Sequence, residues 1–206
     1  MPLTRTAQVT DPIDDIRQAL AQPGRGSSDF DLHPDITLPE GRKLRPAGVL
    51  VPLMWDQGIL QLILTKRSSA LKHHPGQIAF PGGKVDSVDT DVVATALREA
   101  QEEVGLPPGL VEIIGQLPQH ETVTGFSVTP VVGFISQPFD AIAEVGEVEE
   151  IFSVPFHHVS NLAKYSQQGR IWQGRMRMYE TVPFGPYYIW GATARMLRAL
   201  AERLLQ

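Results

Sequence analysis

The chain has 206 residues, of which 42% are hydrophobic and 20% charged, and this composition predicts one globular domain with an extension. A formal net charge of −5 gives no reason to expect a broad basic face, so nucleic acid is not an expected partner. The absence of cysteine excludes disulfides and thiolate metal sites, and no apolar run reaches the roughly 20 residues that a membrane span needs.

Residues 1–45 are predicted to form an extension before the main domain. The first residues lack a charged segment followed by an apolar core, so we expect no secretory signal and a cytoplasmic protein. A helix is predicted over residues 11–22, because Asp11 can cap it and Pro12 suits its first turn. A segment rich in glycine and proline breaks this helix, and residues 29–45 are predicted to connect it to the domain along the surface.

Residues 46–206 are predicted to form the main domain from short apolar strands and two helices. The predicted strands cover residues 48–55, 60–66, 78–81, 111–117, 128–135, 151–155, 176–182 and 187–190. The first two strands are expected to form one hairpin and the last two another, around residues 183–186. The predicted helices cover residues 90–104 and 191–205. Strands mixed with helices, without a regular βαβ alternation, indicate the α+β class.

Three carboxylates converge on the first of these two helices. Glu102 and Glu103 lie three and four positions after Glu99, and residues at that spacing are neighbours on a helix. The inward stripe of this helix is predicted to consist of Val93, Leu97, Ala100 and Val104. The carboxylates are therefore expected to face a cleft or solvent, where a hard cation such as Mg²⁺ would remove their repulsion. Arg98 is placed to neutralise part of this charge or to bind an anion.

The flanking residues decide between a metal site and a solvated acidic face. Carboxylates at this spacing are frequent on exposed helices, so the helix alone favours the solvated face. Gly82 and Gly83, which follow Phe80 and Pro81, allow backbone angles closed to other residues and let carbonyls approach a ligand. A plain tight turn is the alternative for the two glycines. The glycine pair and the carboxylate helix together favour a divalent metal site.

This combination resembles the signature of the Nudix hydrolase family. The signature is Gly, five residues, Glu, seven residues, then Arg-Glu-apolar-x-Glu-Glu-x-Gly-apolar. The matching residues are Arg98, Glu99, Ala100, Glu102, Glu103, Gly105 and Leu106. The first half departs from the signature, because Gly83 lies one residue too far from Arg98. At the two positions where the signature would place its first Glu, this chain has Asp89 and Thr90. That Glu braces the loop in the family, so its absence concerns the geometry of the loop more than the metal ligands.

A second motif upstream resembles the coenzyme A pyrophosphatase branch of the family. Residues 63–68 read I-L-T-K-R-S and lead, at the spacing of that branch, through Lys72 and Gly76 to the F-P-G-G of residues 80–83. Lys72 stands where arginine is usual, which keeps the charge but loses bidentate geometry. Residues 124–130 and 190–194 are also similar to that branch, so the likeness extends from about residue 46 to the end of the chain.

The resemblance implies a fold and a set of metal ligands. The fold is a Nudix α/β/α sandwich around a mixed sheet, here with an N-terminal helical extension. The implied ligands for Mg²⁺ or Mn²⁺ are the Gly83 carbonyl, Glu99, Glu102 and Glu103, with Arg98 beside them as part of the catalytic group. Family members often add a carboxylate from a later loop. The candidates are Glu147, Glu149 and Glu150; Glu149 is included among the catalytic residues, although the choice stays open.

The resemblance also implies a small-molecule substrate and residues that bind it. The predicted substrate-binding residues are Arg67, Lys72, Gly76, Phe80 and Gly82. His73 and His74 lack the spaced partners of a transition-metal site. His120, His157 and His158 are expected at the surface or in turns. Six late aromatic residues either stack an adenine or fill the core: Trp172, Tyr179, Phe184, Tyr187, Tyr188 and Trp190.

The implied activity is metal-dependent hydrolysis of the diphosphate of coenzyme A or its thioesters. Its products are 3′,5′-ADP and 4′-phosphopantetheine or the acylated form. The nearest alternative is a Nudix enzyme for another nucleoside diphosphate derivative, such as ADP-ribose or a dinucleotide. The others are a non-catalytic Nudix-fold binding protein and a structural protein with an acidic helix. The sequence leaves a homodimer open.

Overall fold

The structure is a computed structural model that describes residues 11–39, 41–172 and 174–206. The expectation about a secretory signal concerns residues 1–10 and lies outside this range. The helices are α1 (Pro12–Ala21), α2 (Val92–Val104), α3 (Phe156–Val159) and α4 (Gly191–Arg203). The strands are β1 (Ser27–Ser28), β2 (Arg45–Asp56), β3 (Ile59–Arg67), β4 (Ile78–Ala79), β5 (Gly82–Lys84), β6 (Val111–Gln116), β7 (His120–Glu121), β8 (Phe126–Ile135), β9 (Val148–Pro155), β10 (Ser166–Trp172) and β11 (Arg175–Thr181). None of the described helices has the length and apolar character that crossing a bilayer requires.

Within the described residues, nine of these strands form one mixed sheet with β2 near its centre. Strand β2 pairs in parallel with β8 along most of its length and in antiparallel fashion with β3 at its far end. Its first half also pairs with β5, where Gly48 lies opposite Gly83. Strand β9 extends the sheet beside β3. The predicted first hairpin is confirmed: Gln57 and Gly58, both with positive φ, form the two-residue turn between β2 and β3.

Helices cover both faces of this sheet. Leu50 of β2 and Val131 of β8 point to one face, where they pack with Ala96 and Ala100 of α2. The next residue of each strand points to the other face, as the two-residue period of a strand requires. There the packing partners on α1 and α4 include Ile16, Leu197 and Leu200. The α+β class and the helix–sheet–helix layering that the sequence predicts are confirmed.

The late part of the chain differs from the predicted hairpin. Strand β11 pairs with β10, which the sequence did not predict because its residues are mostly polar and show no two-residue alternation. Residues 187–190 do not form a strand. Two isolated bridges, Thr181 with Trp190 and Phe184 with Tyr187, hold this segment against the end of β11.

The extension is tied to the domain by a buried histidine. His120, expected at the surface, is fully buried because β7 pairs in parallel with β1 of the extension. Its Nδ1 lies 2.9 Å from Ser27 Oγ, and its Nε2 lies 3.1 Å from Asp29 Oδ1. Near the C-terminal end of α1, the guanidinium of Arg203 in α4 donates to the carbonyl of Ala19. The extension therefore contributes a strand and hydrogen bonds to the sheet instead of only following the surface.

Candidate active site

Local sequence signals place α2 over the glycine turn. The carboxylate of Asp91 accepts a hydrogen bond from Ala94 N at 2.8 Å and caps the start of the helix. Gly105, with a left-handed φ of 71°, ends it. Between these points α2 packs on β2, and β5 pairs with the same strand, so the helix carboxylates lie beside Gly82 and Gly83.

Glu103 lines a cavity but is buried, whereas the sequence predicted that the carboxylates face a cleft or solvent. Only 4% of its surface is accessible, because it follows Ala96 and Ala100 at helical spacing on the side that packs on the sheet. Its Oε2 accepts a hydrogen bond from Gly82 N at 3.3 Å. Burial raises the pKa of Glu103 to about 8, and the charge of Glu99 acts in the same direction. The Gly82 N–H and the positive charge of Arg67 oppose this shift of the pKa.

Glu99 lies directly against the second glycine. A Cβ atom added to Gly83 would come within 2.5 to 2.6 Å of the Glu99 carboxylate, so no larger residue fits without displacing it. Burial raises the pKa of Glu99, while its hydrogen bond with Arg98 lowers that pKa. The backbone of Gly83 and the carboxylate of Glu99 therefore form one polar surface.

A cavity of about 380 Å³, here called the carboxylate cavity, collects the acidic side chains. Its lining consists of Glu99, Glu102, Glu103, Glu144 and Glu147. Glu144 N donates to the carbonyl of Glu103 at 3.0 Å, which attaches the loop after β8 to the end of α2. The Glu144 carboxylate in turn accepts from Glu147 N at 3.1 Å. Glu144 is not among the site residues predicted from the sequence, where its only signal is its place in the acidic segment before β9.

Arg98 binds carboxylates of its own protein. Its guanidinium donates to both oxygens of Asp89 at 2.9 and 3.0 Å, and to Glu99 and Glu102 at 2.9 and 3.2 Å. The side chain of Asp89 is only 3% exposed and also accepts from Thr95 Oγ1 at 2.9 Å. Hydrogen bonding from Arg98 holds the pKa of Asp89 well below its usual range. Asp89 thus braces the loop where the family signature has a glutamate.

Of the three later carboxylates predicted as candidates, only Glu147 lines the carboxylate cavity. Glu149 accepts from Lys66 Nζ at 2.6 Å and from Ser69 N at 3.2 Å. The hydrogen bond from Lys66 lowers the pKa of Glu149. Glu150 accepts from the hydroxyl of Tyr187 at 2.5 Å. Neither Glu149 nor Glu150 is among the residues that line the carboxylate cavity.

The residues predicted to bind substrate differ in how exposed they are: some are buried, some half-buried and some exposed. Phe80 is buried in the hydrophobic core, so its side chain supports the turn from below. Arg67, at the end of β3, is half-buried, and its charge acts on Glu103. Lys72 and Gly76 are exposed in the loop between β3 and β4. Gly82 contributes its backbone N–H to Glu103, as described above.

A family model described as the NUDIX domain matches residues 44–175, more than half of the chain. The chain belongs to the Nudix hydrolase family. A protein of Enterobacter sp. (strain 638), called an uncharacterized Nudix hydrolase NudL, is 45% identical over 160 residues, which are 78% of this chain and 83% of the relative. A protein of the same name from Salmonella heidelberg (strain SL476) is 43% identical over 84% of this chain and 89% of the relative.

Solved Nudix structures share this fold. A MutT/nudix family protein from Enterococcus faecalis superposes with a TM-score of 0.52 at 15% identity, over 96% of this chain and 76% of its own. The NUDIX domain of Shewanella oneidensis NrtR, complexed with ADP ribose, superposes with a TM-score of 0.50 at 15% identity, over 85% of this chain and 97% of its own. At this identity, the likeness concerns the fold.

The donor set of the Nudix site suits a hard divalent cation. Glu103 is a buried carboxylate with a single backbone N–H partner, and the cavity offers only oxygen ligands, which Mg²⁺ and Mn²⁺ prefer. Across the described ranges, no three His, Asp or Glu side chains are already gathered at metal-binding distance. Arg98 accounts for this, since it draws Glu99 and Glu102 towards itself. Cation binding would therefore compete with Arg98 for these two carboxylates.

The raised pKa of Glu103 predicts how stability depends on pH. Its ordinary value is 4.5, and the folded protein holds the proton up to about pH 8. Between these values the folded state binds more protons than the unfolded state, so the free energy of unfolding falls as pH rises, by an amount on the order of a few kcal/mol. We expect the melting temperature in EDTA to decrease from about pH 5 to about pH 8. The decrease should be much smaller in Glu103→Gln, and an equal decrease in both proteins would contradict the assignment.

Proposed function

We propose that this Nudix hydrolase cleaves the diphosphate of coenzyme A or its thioesters. The reaction yields 3′,5′-ADP and 4′-phosphopantetheine or its acyl form. The observation that supports the proposal is that Gly82 and Gly83, which end the second motif, contact Glu103 and Glu99 of the carboxylate cavity. Arg67 acts electrostatically on Glu103. A diphosphate bound there would lie between the basic residues Arg67 and Lys72 on one side and the carboxylates of α2 on the other.

The chain supplies ligands and charge for this hydrolysis. Gly83, Glu99, Glu102 and Glu103 would hold Mg²⁺ or Mn²⁺, which when bound neutralises charge on the phosphate oxygens and activates water. Arg67 would contact an oxygen of the diphosphate. Water attacks one phosphorus, the bridging P–O bond breaks, and the other phosphate leaves with the bridging oxygen.

Glu147 is the residue we propose to accept the proton of the attacking water. It lines the carboxylate cavity and is exposed to solvent, whereas Glu149 is bound to Lys66 and Ser69. A general base contributes about 10² to 10⁴ in rate. We expect Glu147→Gln to lower kcat about 10²-fold, and Glu149→Gln, as the matched control, to lower it by less than about threefold. A larger loss in Glu149→Gln than in Glu147→Gln would reverse the assignment.

A substrate panel tests the proposed activity. Purified protein with Mg²⁺ or Mn²⁺ would be assayed in parallel with coenzyme A, acyl-coenzyme A, ADP-ribose and a dinucleoside polyphosphate. Release of 3′,5′-ADP with the highest kcat/KM on coenzyme A or its thioesters supports the proposal. Higher kcat/KM on ADP-ribose or the dinucleotide assigns the site to another Nudix branch. Ligand binding without turnover of any substrate would make the protein a binding member of the family.

A further inference from the structure

The hairpin of β10 and β11 carries three arginines on one face. Arg170 lies directly opposite Arg177, and Gln168 lies opposite Tyr179. Arg175 is two residues from Arg177 on the same strand and therefore points to the same side. We call Arg170, Arg175 and Arg177 the arginine face.

The arginine face concentrates positive charge in a protein of net charge −5. Like charges directly opposite each other on neighbouring strands destabilise a sheet. In the part of the chain that the structure describes, neither Arg170 nor Arg175 has a carboxylate within ion-pair distance. Glu180, the acidic residue of β11, points to the other face of the hairpin, where Arg198 binds it at 3.2 Å. Charge complementarity therefore favours an anion as the partner of this face.

Aromatic side chains hold Arg170 in place. Its guanidinium lies 4.6 Å from the centre of the Trp190 ring, and the ring of Tyr179 meets Trp190 edge-on at 5.1 Å. The hydroxyl of Tyr188 donates to Gln168 Oε1 at 2.7 Å and lies 3.2 Å from the Tyr179 hydroxyl. A guanidinium fixed by stacking loses less conformational entropy when it binds an anion, and its donors match two phosphate oxygens.

The start of α4 lies near the loop between β3 and β4 that carries Lys72 and Gly76. Trp190 precedes Gly191, where an added Cβ atom would lie 3.8 Å from the side-chain nitrogen Nε2 of Gln77. The carbonyl of Gln77 accepts from Arg67 N at 3.0 Å, and Arg67 acts on Glu103. Thr193 Oγ1 donates to the carbonyl of Ile78 at 3.1 Å and fixes the start of α4 to β4, which follows that loop. These contacts connect Trp190, which stacks on Arg170, through Gln77 to Arg67, whose charge acts on Glu103.

We propose that the arginine face binds the 3′-phosphate of a 3′-phosphorylated nucleotide. Arg170 and Arg175 donate to the phosphomonoester, while the diphosphate of the same molecule lies at the carboxylate cavity. This inference rests on the proposed function, because it assigns the 3′-phosphate and the diphosphate of one substrate to two sites. It also makes the 3′-phosphate a specificity determinant, since substrates that lack it offer no phosphomonoester to Arg170 and Arg175.

Binding of the nucleotide product to metal-free protein tests the inference without catalysis. Titration calorimetry in EDTA would compare 3′,5′-ADP with 5′-AMP, which lacks only the 3′-phosphate. We expect wild type to bind 3′,5′-ADP about tenfold more tightly, and this ratio to fall to within about threefold of one in Arg170→Ala and in Arg175→Ala. The matched control is Arg25→Ala, an exposed arginine outside both sites, and it should keep the wild-type ratio. Melting temperatures confirm folding of each variant.

Two results would overturn the inference. One is an equal affinity of wild type for 3′,5′-ADP and 5′-AMP, and the other is an unchanged ratio in both arginine variants. Hydrolysis separates this failure from failure of the proposed function. If coenzyme A and 3′-dephospho-coenzyme A are cleaved with equal kcat/KM, only the arginine face is wrong. If neither is cleaved while the 3′-phosphate preference in binding persists, only the proposed reaction is wrong.

Discussion

Replacement of Glu103 by glutamine is expected to lower kcat for diphosphate hydrolysis about 10³-fold. The substitution removes the negative charge of Glu103, the proposed cation ligand that is buried in the lining of the carboxylate cavity, and a bound cation supplies several kcal/mol of transition-state stabilisation. Glutamine keeps the length of the side chain and an oxygen that can still accept from Gly82 N. Activity should therefore fall without loss of the fold.

The stability of this variant gives a second, independent result. Because burial disfavours the ionised form of Glu103, the neutral amide is expected to leave the metal-free melting temperature at pH 8 unchanged or higher. Addition of Mg²⁺ should raise the melting temperature of wild type more than that of Glu103→Gln. Glu112→Gln is the matched control, since Glu112 is an exposed glutamate paired with Arg17 outside the site. Near-normal turnover by a folded Glu103→Gln protein would remove the site assignment.

The sequence predicted those parts of the fold that local pattern determines. The β2–β3 hairpin has two apolar segments around Gln57 and Gly58, and both residues adopt the positive φ that such a turn needs. Strand β10 gives no such signal, because it is polar and is stabilised by its pairing with β11. The parallel pairing of β1 with β7, which buries His120, joins segments far apart in sequence and was not predictable from either segment alone.

In the candidate site, too, local sequence pattern predicts some features, and tertiary contacts determine the others. Helical spacing was sufficient to place Glu99, Glu102 and Glu103 together. It did not predict the burial of Glu103, because an apolar stripe indicates which side faces the core but not how wide the buried surface is. That Glu147 and not Glu149 lines the carboxylate cavity depends on how the loop before β9 folds back onto α2, which is a tertiary contact. The Asp89–Arg98 pair likewise depends on the path of the loop that leads into the helix.

Replacement of Gly82 by alanine is expected to reduce both stability and activity. A Cβ atom at this position would lie 2.6 Å from the carbonyl oxygen of Gly48 and 2.6 Å from Val49 Cα, both backbone atoms of β2. Backbone atoms cannot move aside as a flexible side chain does, so β5 must shift away from β2. Overpacking of this kind costs about 1–3 kcal/mol, and the positive φ of 155° adds to the strain.

The shift of β5 also displaces the two contacts that join the glycine turn to α2. Gly82 N would move from Glu103, and the Gly83 backbone would move from Glu99. A displacement of about 1 Å in a catalytic site can cost about 10² in rate, so we expect a loss of that size in kcat/KM. Gly109→Ala is the matched control, because an added Cβ there meets no atom within 4 Å and should change neither quantity. Assays well below the melting temperature separate the two effects. A lower melting temperature with wild-type kcat/KM would show that the turn supports the sheet without positioning the carboxylates.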